Sequence, residues 1–311
     1  MAEATVVGIG TFDGVHLGHQ AILTEMGREA GRRCLESLAY AFGVPPRLHA
    51  ETNPGRSLLL PESVKLRLLC RSVDRVVRAS FPAIRDLSPA QFAKRVLVET
   101  LNAQAVVVGP SFRFGARRAG DPEALRSLGT RLGFSVSVVP PVLVDGDPVN
   151  STRIRALFAA GEIAKAAALL GRPPVLVGDV AAGDRVGRTL GYPTANLSVD
   201  PHVLLPRHGV YVARAFTDRA VGSAPQPGLL YVGTRPTLAA AGGDLRCEIH
   251  LLTPPEAELY DAPIEVHVLA HLRGDLAFAS LEELRLQIQR DADRAAEVLV
   301  RFPQPTAPIA G

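Results

Sequence analysis

Apolar residues follow two rhythms along this chain of 311 residues. In the first half, short apolar runs at 4–9, 35–42, 73–79, 104–109 and 134–139 read as buried strands separated by amphipathic stretches. Helices are expected from Leu17, over 61–69 with Pro61 at the start, from Ser88 to about Leu101, and after Asp121-Pro122. Ser88-Pro89-Ala90-Gln91 supplies a capping hydroxyl, a proline at the first helical residue and a glutamine placed to reach back, a capping-box pattern. Strands alternating with helices predict βαβ units, right-handed crossovers and an α/β parallel sheet whose ligands sit at the carboxyl ends of its strands.

The second half changes rhythm. Runs at 175–180, 209–216, 229–233, 245–252 and 264–269 are spaced by Gly, Pro and Asp with no long helix among them, which predicts an antiparallel β-barrel. The last segment differs again: Ser280-Leu281-Glu282-Glu283 reads as a capping box, and Leu281, Leu284, Ile288, Ala292, Ala295 and Leu299 recur every three or four residues. A terminal α-helix packed on the barrel follows. Leu169-Leu170-Gly171-Arg172-Pro173-Pro174 ends a helix with a glycine and two prolines, so a boundary is expected between a domain of 1–172 and one of 173–311.

Composition narrows the chemistry. Thirty-four Lys and Arg against 31 Asp and Glu leave a net charge of +3, without the dense basic surface that a nucleic-acid backbone requires. Phosphorylated small molecules suit it better. Cys34, Cys70 and Cys247 are isolated and lack C-x-x-C spacing, which argues against a disulfide framework or a zinc site and suits a reducing compartment. Glu3 and the absence of a basic segment before the first apolar run speak against a signal peptide, and no apolar run reaches the ~18 residues of a membrane span. The expected location is cytoplasmic.

Three stretches of the first half carry candidate chemistry. Gly8-Ile9-Gly10-Thr11-Phe12-Asp13-Gly14-Val15-His16-Leu17-Gly18-His19 places a glycine-rich turn and two imidazoles between the first strand and the first helix. Free N–H groups at a helix start and hydrogen-bonding rings converge there on a place for phosphate. The segment 109–121 interleaves Arg113, Arg117 and Arg118 with Phe112 and Phe114, where a merely solvated loop would not need the phenylalanines. Asn150-Ser151-Thr152-Arg153-Ile154-Arg155 opens a helix with hydroxyls and amides, and an arginine one turn in can fork onto a polyphosphate.

In the second half, Gly178-Asp179-Val180-Ala181-Ala182-Gly183-Asp184-Arg185-Val186-Gly187-Arg188-Thr189-Leu190-Gly191-Tyr192-Pro193-Thr194-Ala195-Asn196-Leu197 is glycine-rich enough to cradle phosphate, yet lacks the Walker signature. Cys247-Glu248-Ile249-His250 places one carboxylate in a strand.

Together these strings resemble the prokaryotic bifunctional riboflavin kinase/FAD synthetases over nearly the whole chain. The G-x-F-D-G-V-H-x-G-H stretch is similar to that family's nucleotidyltransferase motif, and 109–121 to its G-(D/N)-F-x-F-G-x-x-x-x-G-D element. The Asn150 segment is similar to S-S-T-x-I-R, with Asn150 in place of the first serine. The 178–197 stretch matches G-x-V-x-x-G-x-x-x-G-R-x-L-G-(F/Y)-P-T-A-N almost residue for residue. Two departures stand out. Ala41-Phe42-Gly43-Val44-Pro45-Pro46 occupies the place of T-F-x-P-H-P and lacks its histidine, and Ser111 stands where Asp or Asn is common.

The resemblance implies a Rossmann-like nucleotidyltransferase domain that makes FAD from FMN and ATP, releasing pyrophosphate, followed by a barrel that makes FMN from riboflavin and ATP. It implies that His16 and His19 act catalytically, and that Gly10, Phe12, Asp13, Gly14, Gly18, Ser151, Thr152 and Arg155 bind ATP phosphates in the first domain. In the second it gives Gly178, Gly183, Gly187, Arg188, Gly191 and Pro193 to phosphate, Thr194 and Asn196 to Mg²⁺, and Glu248 to proton removal. Ser111, Phe112 and Phe114, with Thr234, Arg235, Arg273 and Phe278, are expected to line nucleotide and flavin pockets. The implied partners are riboflavin, FMN, FAD and ATP, with Mg²⁺, and neither nucleic acid nor membrane. Two rivals stay open on the sequence: a kinase whose first half binds nucleotide with little turnover, and a non-catalytic flavin-binding regulator, against which Glu248 and the phosphate motifs speak.

Overall fold

The computed structural model describes residues 3–43, 57–181, 194–217, 224–234, 245–253, 263–302 and 308–309. The chain divides into two units, Met1–Gly55 with Glu62–Ser151, and Arg56–Pro61 with Thr152–Gly311.

In the first unit, β1 (Thr5–Gly10), β2 (Glu36–Phe42), β3 (Arg75–Ala79), β4 (Ala103–Val108) and β5 (Ser135–Val138) form one sheet in the order β3-β2-β1-β4-β5, all neighbours parallel. This is the α/β sheet expected from the run-and-helix rhythm. Helices α1 (Leu17–Arg33), α2 (Glu62–Cys70), α3 (Phe81–Ile84), α4 (Pro89–Gln91, continuing as a wider π-type coil over Phe92–Thr100) and α5 (Pro122–Leu132) connect the strands. The wider coil ends where the N–H of Leu101 reaches back five residues to the carbonyl of Val96. The Ser88 capping box forms as expected: its hydroxyl accepts from the Gln91 N–H while the Gln91 side chain accepts from the Ser88 N–H. Val7, Ile9, Leu38, Val106 and Val108 project from the strands into a core shared with Phe92, Leu97, Leu125 and Phe134. At Gly8 an added Cβ would run into the Met26 side chain, so glycine lets α1 lie close on the central strand. A small hairpin, β6 (Leu143–Val144) with β7 (Asp147–Pro148), intervenes between the sheet and the Asn150 segment.

Strand order decides where this unit can bind a ligand. From β1 the chain moves outward to β2 and β3, then crosses back to β4 on the other side of β1. Beyond the carboxyl ends of β1 and β4 the connections diverge, leaving the crevice in which such sheets hold ligands. The glycine-histidine turn follows β1, and the segment 109–121 follows β4.

The second unit contains α6 (Ser151–Ala159, from its second residue on), α7 (Ile163–Leu170) and a closed barrel. Its strands are β8 (Val175–Ala181), β9 (Thr194–Val199), β10 (Gly209–Phe216), β11 (Gln226–Thr234), β12 (Leu245–Leu251) and β13 (Pro263–Arg273), in the order β10-β11-β12-β9-β8-β13, with antiparallel pairing between the neighbours that pair. The sequence reading has no strand at 194–199, where it extends the glycine-rich turn; the buried Leu197 and Val199 instead alternate as a strand should. Tyr211, Leu230 and Ile249 lie opposite one another across three strands and are fully buried.

The terminal helix α8 (Leu281–Leu299) packs Ala295, with Ala292, Val298 and Leu299, over Val210, Val212, Leu229 and Leu269 of the barrel. Two details correct the expectation. Leu281 is 60% exposed, well before Ala292, where the apolar cluster shared with the barrel begins, and the capping box forms only in part. Ser280 accepts from the Glu283 N–H, whereas the Glu283 carboxylate takes the N–H of Ala279 rather than that of Ser280.

Candidate active sites

The turn after β1 is built from unusual backbone. Phe12 (φ 48°), Gly14 (φ 83°) and Val15 (φ 39°) all lie in the left-handed region, two of them without the freedom of glycine. Burial holds that conformation: Phe12 is fully enclosed, and Asp13, Val15 and His16 are nearly so. His16 takes the N-cap position of α1, where its Nδ1 accepts from the N–H of His19 at 3.4 Å. The two imidazoles stack with ring centroids 3.7 Å apart, and the edge of Phe12 meets His19 at 5.3 Å. A Cβ at Gly18 would stand 3.2 Å from the His16 ring, so glycine at the middle of H-x-G-H leaves room for that ring.

His19 is the more secluded imidazole. Burial, then the His16 ring, then the Lys65 ammonium push its pKa well below 6.5, so it is a neutral ring at neutral pH. Its Nδ1 is buried and has no hydrogen-bond partner among the described residues. A buried ring nitrogen with unused hydrogen-bonding capacity beside a helix start can take a phosphate oxygen. The hydroxyl of Ser151 donates to the carbonyl of Asp13 at 3.0 Å, tying the first residue of α6 to the same turn. Ser151 thus meets the glycine-histidine turn, as grouped in sequence. Thr152 follows it in the first turn of α6, and Arg155 Nε donates to the carbonyl of Ser57 at 2.6 Å.

In the segment after β4, the two phenylalanines have different tasks. Phe114 is buried against Phe92, pairs through its backbone with Gly120 and leaves no space for a side chain there: a Cβ on Gly120 would lie 2.5 Å from its ring. That makes it the anchor of the loop. Phe112 stacks on Phe114 at 5.6 Å, and Ser111 is exposed. Arg117 and Arg118 are held at φ 54° and 60° on the loop surface.

On the barrel, register gathers the expected kinase residues. Glu248 lies directly opposite Asn196, and His250 directly opposite Thr194, across the β9–β12 pair. Opposed residues share a side of the sheet, as do residues two apart on one strand. Thr194, Asn196, Glu248 and His250 therefore project from one face. Tyr231 and Val210 continue the row toward the side covered by α8. Glu248 is partly buried, with Arg246 Nη1 at 3.8 Å from its Oε1. Thr194 and Asn196 offer the hydroxyl and amide oxygens that a hard cation prefers. Among the described residues no cluster of three His, Cys, Asp or Glu could hold a metal ion.

The other expected site residues fall into three groups. Gly178 sits inside β8, where a Cβ would come 2.6 Å from the Ser198 carbonyl; close strand approach accounts for that glycine. Thr234 ends β11, while Gly183, Gly187, Arg188, Gly191, Pro193 and Arg235 lie outside the described residues, as do Val44, Pro45 and Pro46. Arg273 has its guanidinium forked onto the buried Asp291 of α8, with Nε 2.9 Å and Nη2 2.8 Å from Oδ2, and lies 6.0 Å from the Phe278 ring centroid.

Sequence reading passed over two buried charges next to residues it had singled out, Lys65, which interacts electrostatically with Asp13 and His19, and Asp291, which holds Arg273. Both occupy apolar positions of amphipathic helices, Lys65 between the buried Val64 and Leu69, Asp291 one turn before Ala295. A charged residue on a buried stripe was the available signal.

Comparison with known proteins agrees with the two-part layout. An FAD synthetase family model matches residues 1–153 and a riboflavin kinase model residues 170–299. The chain is 36% identical over 297 residues to the bifunctional riboflavin kinase/FMN adenylyltransferase of Escherichia coli K12, covering 95% of this chain and 93% of that one. It is 37% identical to the Pseudomonas fluorescens protein of the same name, over 93% and 91% of the two chains. Among solved structures, one described as Macrolide-efflux Protein from Streptococcus pneumoniae superposes with a TM-score of 0.82 at 27% identity, over 95% of both chains. Among the described residues no helix is long and apolar enough to cross a membrane. The parallel sheet with its paired imidazoles, the barrel with its strand carboxylate and the relatives matched along almost the full length agree: the chain belongs to the bifunctional riboflavin kinase/FMN adenylyltransferases, with the adenylyltransferase part first and the kinase part second.

Proposed function

We propose that FMN is adenylylated within residues 1–172 around His16, His19 and Ser151, and that riboflavin is phosphorylated within residues 173–311 on the barrel face bearing Thr194, Asn196 and Glu248, with ATP as co-substrate of both. The register that sets Glu248 against Asn196 is the observation that carries the second assignment. A ribityl hydroxyl has a pKa far above neutrality, so its attack on the γ-phosphorus of ATP profits from a base that accepts the proton as the new O–P bond forms and ADP leaves. Glu248 is that base. Mg²⁺ held by Thr194 and Asn196 would neutralise charge on the ATP phosphates.

Adenylyl transfer needs no base. The FMN phosphate is already an anion, and its oxygen attacks the α-phosphorus while pyrophosphate departs, so the residues need only orient and neutralise. A neutral His19, the α1 N-terminus and the Ser151 end of α6 supply hydrogen bonds for that purpose. The cytoplasm, where ATP and reduced thiols abound, suits an enzyme whose Cys34, Cys70 and Cys247 are isolated along the chain.

The test is Glu248→Gln, which keeps shape and removes the base. Turnover of riboflavin with ATP and Mg²⁺ should fall by more than about a hundredfold while riboflavin binding, read by flavin fluorescence, changes little. Turnover within threefold of the parent would remove Glu248 from the reaction. In parallel, Asn196→Ala should raise the Mg²⁺ concentration giving half-maximal kinase activity.

A further inference from the structure

The buried ammonium of Lys65 has no part in the assignments above. It is 3% exposed, on a helix otherwise buried through Val64 and Leu69. Its Nζ donates to the carbonyl of Gly43 at 2.7 Å and to that of Phe42, the last residue of β2. β2 is the parallel neighbour of β1, so these carbonyls lie at the same sheet edge as the turn that carries His16 and His19. Lys65 interacts electrostatically with Asp13 of that turn and with the His19 ring. Burial, and to a smaller degree Arg78, lower its pKa from 10.5, whereas Glu62 and Asp13 favour the charged form; its two carbonyl acceptors also suit an ammonium.

A buried charge of this kind is expensive unless something uses it. Tying α2 to β2 would need only a hydrogen-bond donor. The imidazole beside it keeps a buried nitrogen without a partner among the described residues, which points to an anion that completes the site. Because His19 is neutral there, the imidazoles offer hydrogen bonds rather than charge. We propose that Lys65 is the fixed cation of the adenylyl-transfer site, held by the end of β2 so that its charge acts on a phosphate group bound at the His16–His19 turn. The ligand chemistry is a phosphate oxyanion, supplied either by the polyphosphate of ATP or by the phosphate of FMN. This rests on the assignment of adenylyl transfer to His16 and His19.

Lys65→Gln keeps a donor for the carbonyls and removes the charge; Lys65→Arg keeps the charge. Calorimetry on the full chain with Mg²⁺ and, separately, inorganic pyrophosphate and FMN reads the binding, and NMR reads the His19 ring titration. Lys65→Gln should weaken one of the two ligands by at least about tenfold, and the ligand affected identifies the source of the phosphate. It should also move the His19 titration upward, since one of the positive neighbours opposing protonation is gone, with Lys65→Arg close to the parent in both. Native affinity for both ligands in Lys65→Gln, or equal loss in the Gln and Arg variants, would reduce Lys65 to a packing clip and overturn the proposal. His19→Ala that still makes FAD at the parent rate would instead overturn the underlying assignment, whatever Lys65 does.

Discussion

His19 couples the stability of the first unit to pH through its burial. Its pKa in the folded chain lies well below the 6.5 of an exposed imidazole, so the unfolded chain binds the proton more readily. The contribution is therefore complete above about pH 6.5 and is lost as pH falls through the depressed folded-state value. Urea unfolding at descending pH should show the first unit losing stability below about pH 6.5, and His19→Gln should flatten that decline; equal slopes would contradict it. At Gly18 the contact is steric: with a Cβ placed 3.2 Å from the His16 ring, Gly18→Ala should displace that ring and cut FAD formation without touching riboflavin phosphorylation. The imidazoles were legible because glycines and histidines crowd one turn. Lys65 was legible only as a charge on a buried stripe; its partners, 22 and 23 residues earlier at Gly43 and Phe42, come into view only in the fold.

Among the elements, α8 shows how a helix is fastened to a barrel by charge as well as by apolar contact. Asp291 accepts both forks of Arg273 and the amide of Gln287, and Arg214 donates to the carbonyls of Leu299 and Phe302 at the helix end. Removing one member of a buried pair strands the other, at a cost of about 3 kcal/mol. Asp291→Ala should lower barrel stability in urea by that order, far more than Ser280→Ala, whose lost cap costs ~1 kcal/mol. Comparable losses from the two would refute the ranking. Helix periodicity revealed α8 but not that Leu281 stays in solvent, because the apolar cluster shared with the barrel takes in the helix only from Ala292 on. β9 escaped for a different reason: Pro193-Thr194-Ala195-Asn196 carries turn-forming residues, and only pairing with β8 and β12 makes Thr194 to Asn196 the start of a strand.

For the whole molecule, the α/β-then-barrel plan followed from the change in hydrophobic rhythm, since period and spacing alone separate parallel from antiparallel sheets. What rhythm cannot carry is register, and register is what brings Glu248 to Asn196. Each chemistry has its own residues, so neither should depend on the other's. The direct measurement is one reaction started with riboflavin, ATP and Mg²⁺, and a second started with FMN, ATP and Mg²⁺, each followed by chromatography of riboflavin, FMN and FAD for the parent, His19→Ala and Glu248→Ala. The account predicts that His19→Ala accumulates FMN and forms no FAD, while Glu248→Ala leaves riboflavin unphosphorylated yet converts supplied FMN to FAD at nearly the parent rate. A single substitution that abolished both conversions alike in a folded chain would contradict it.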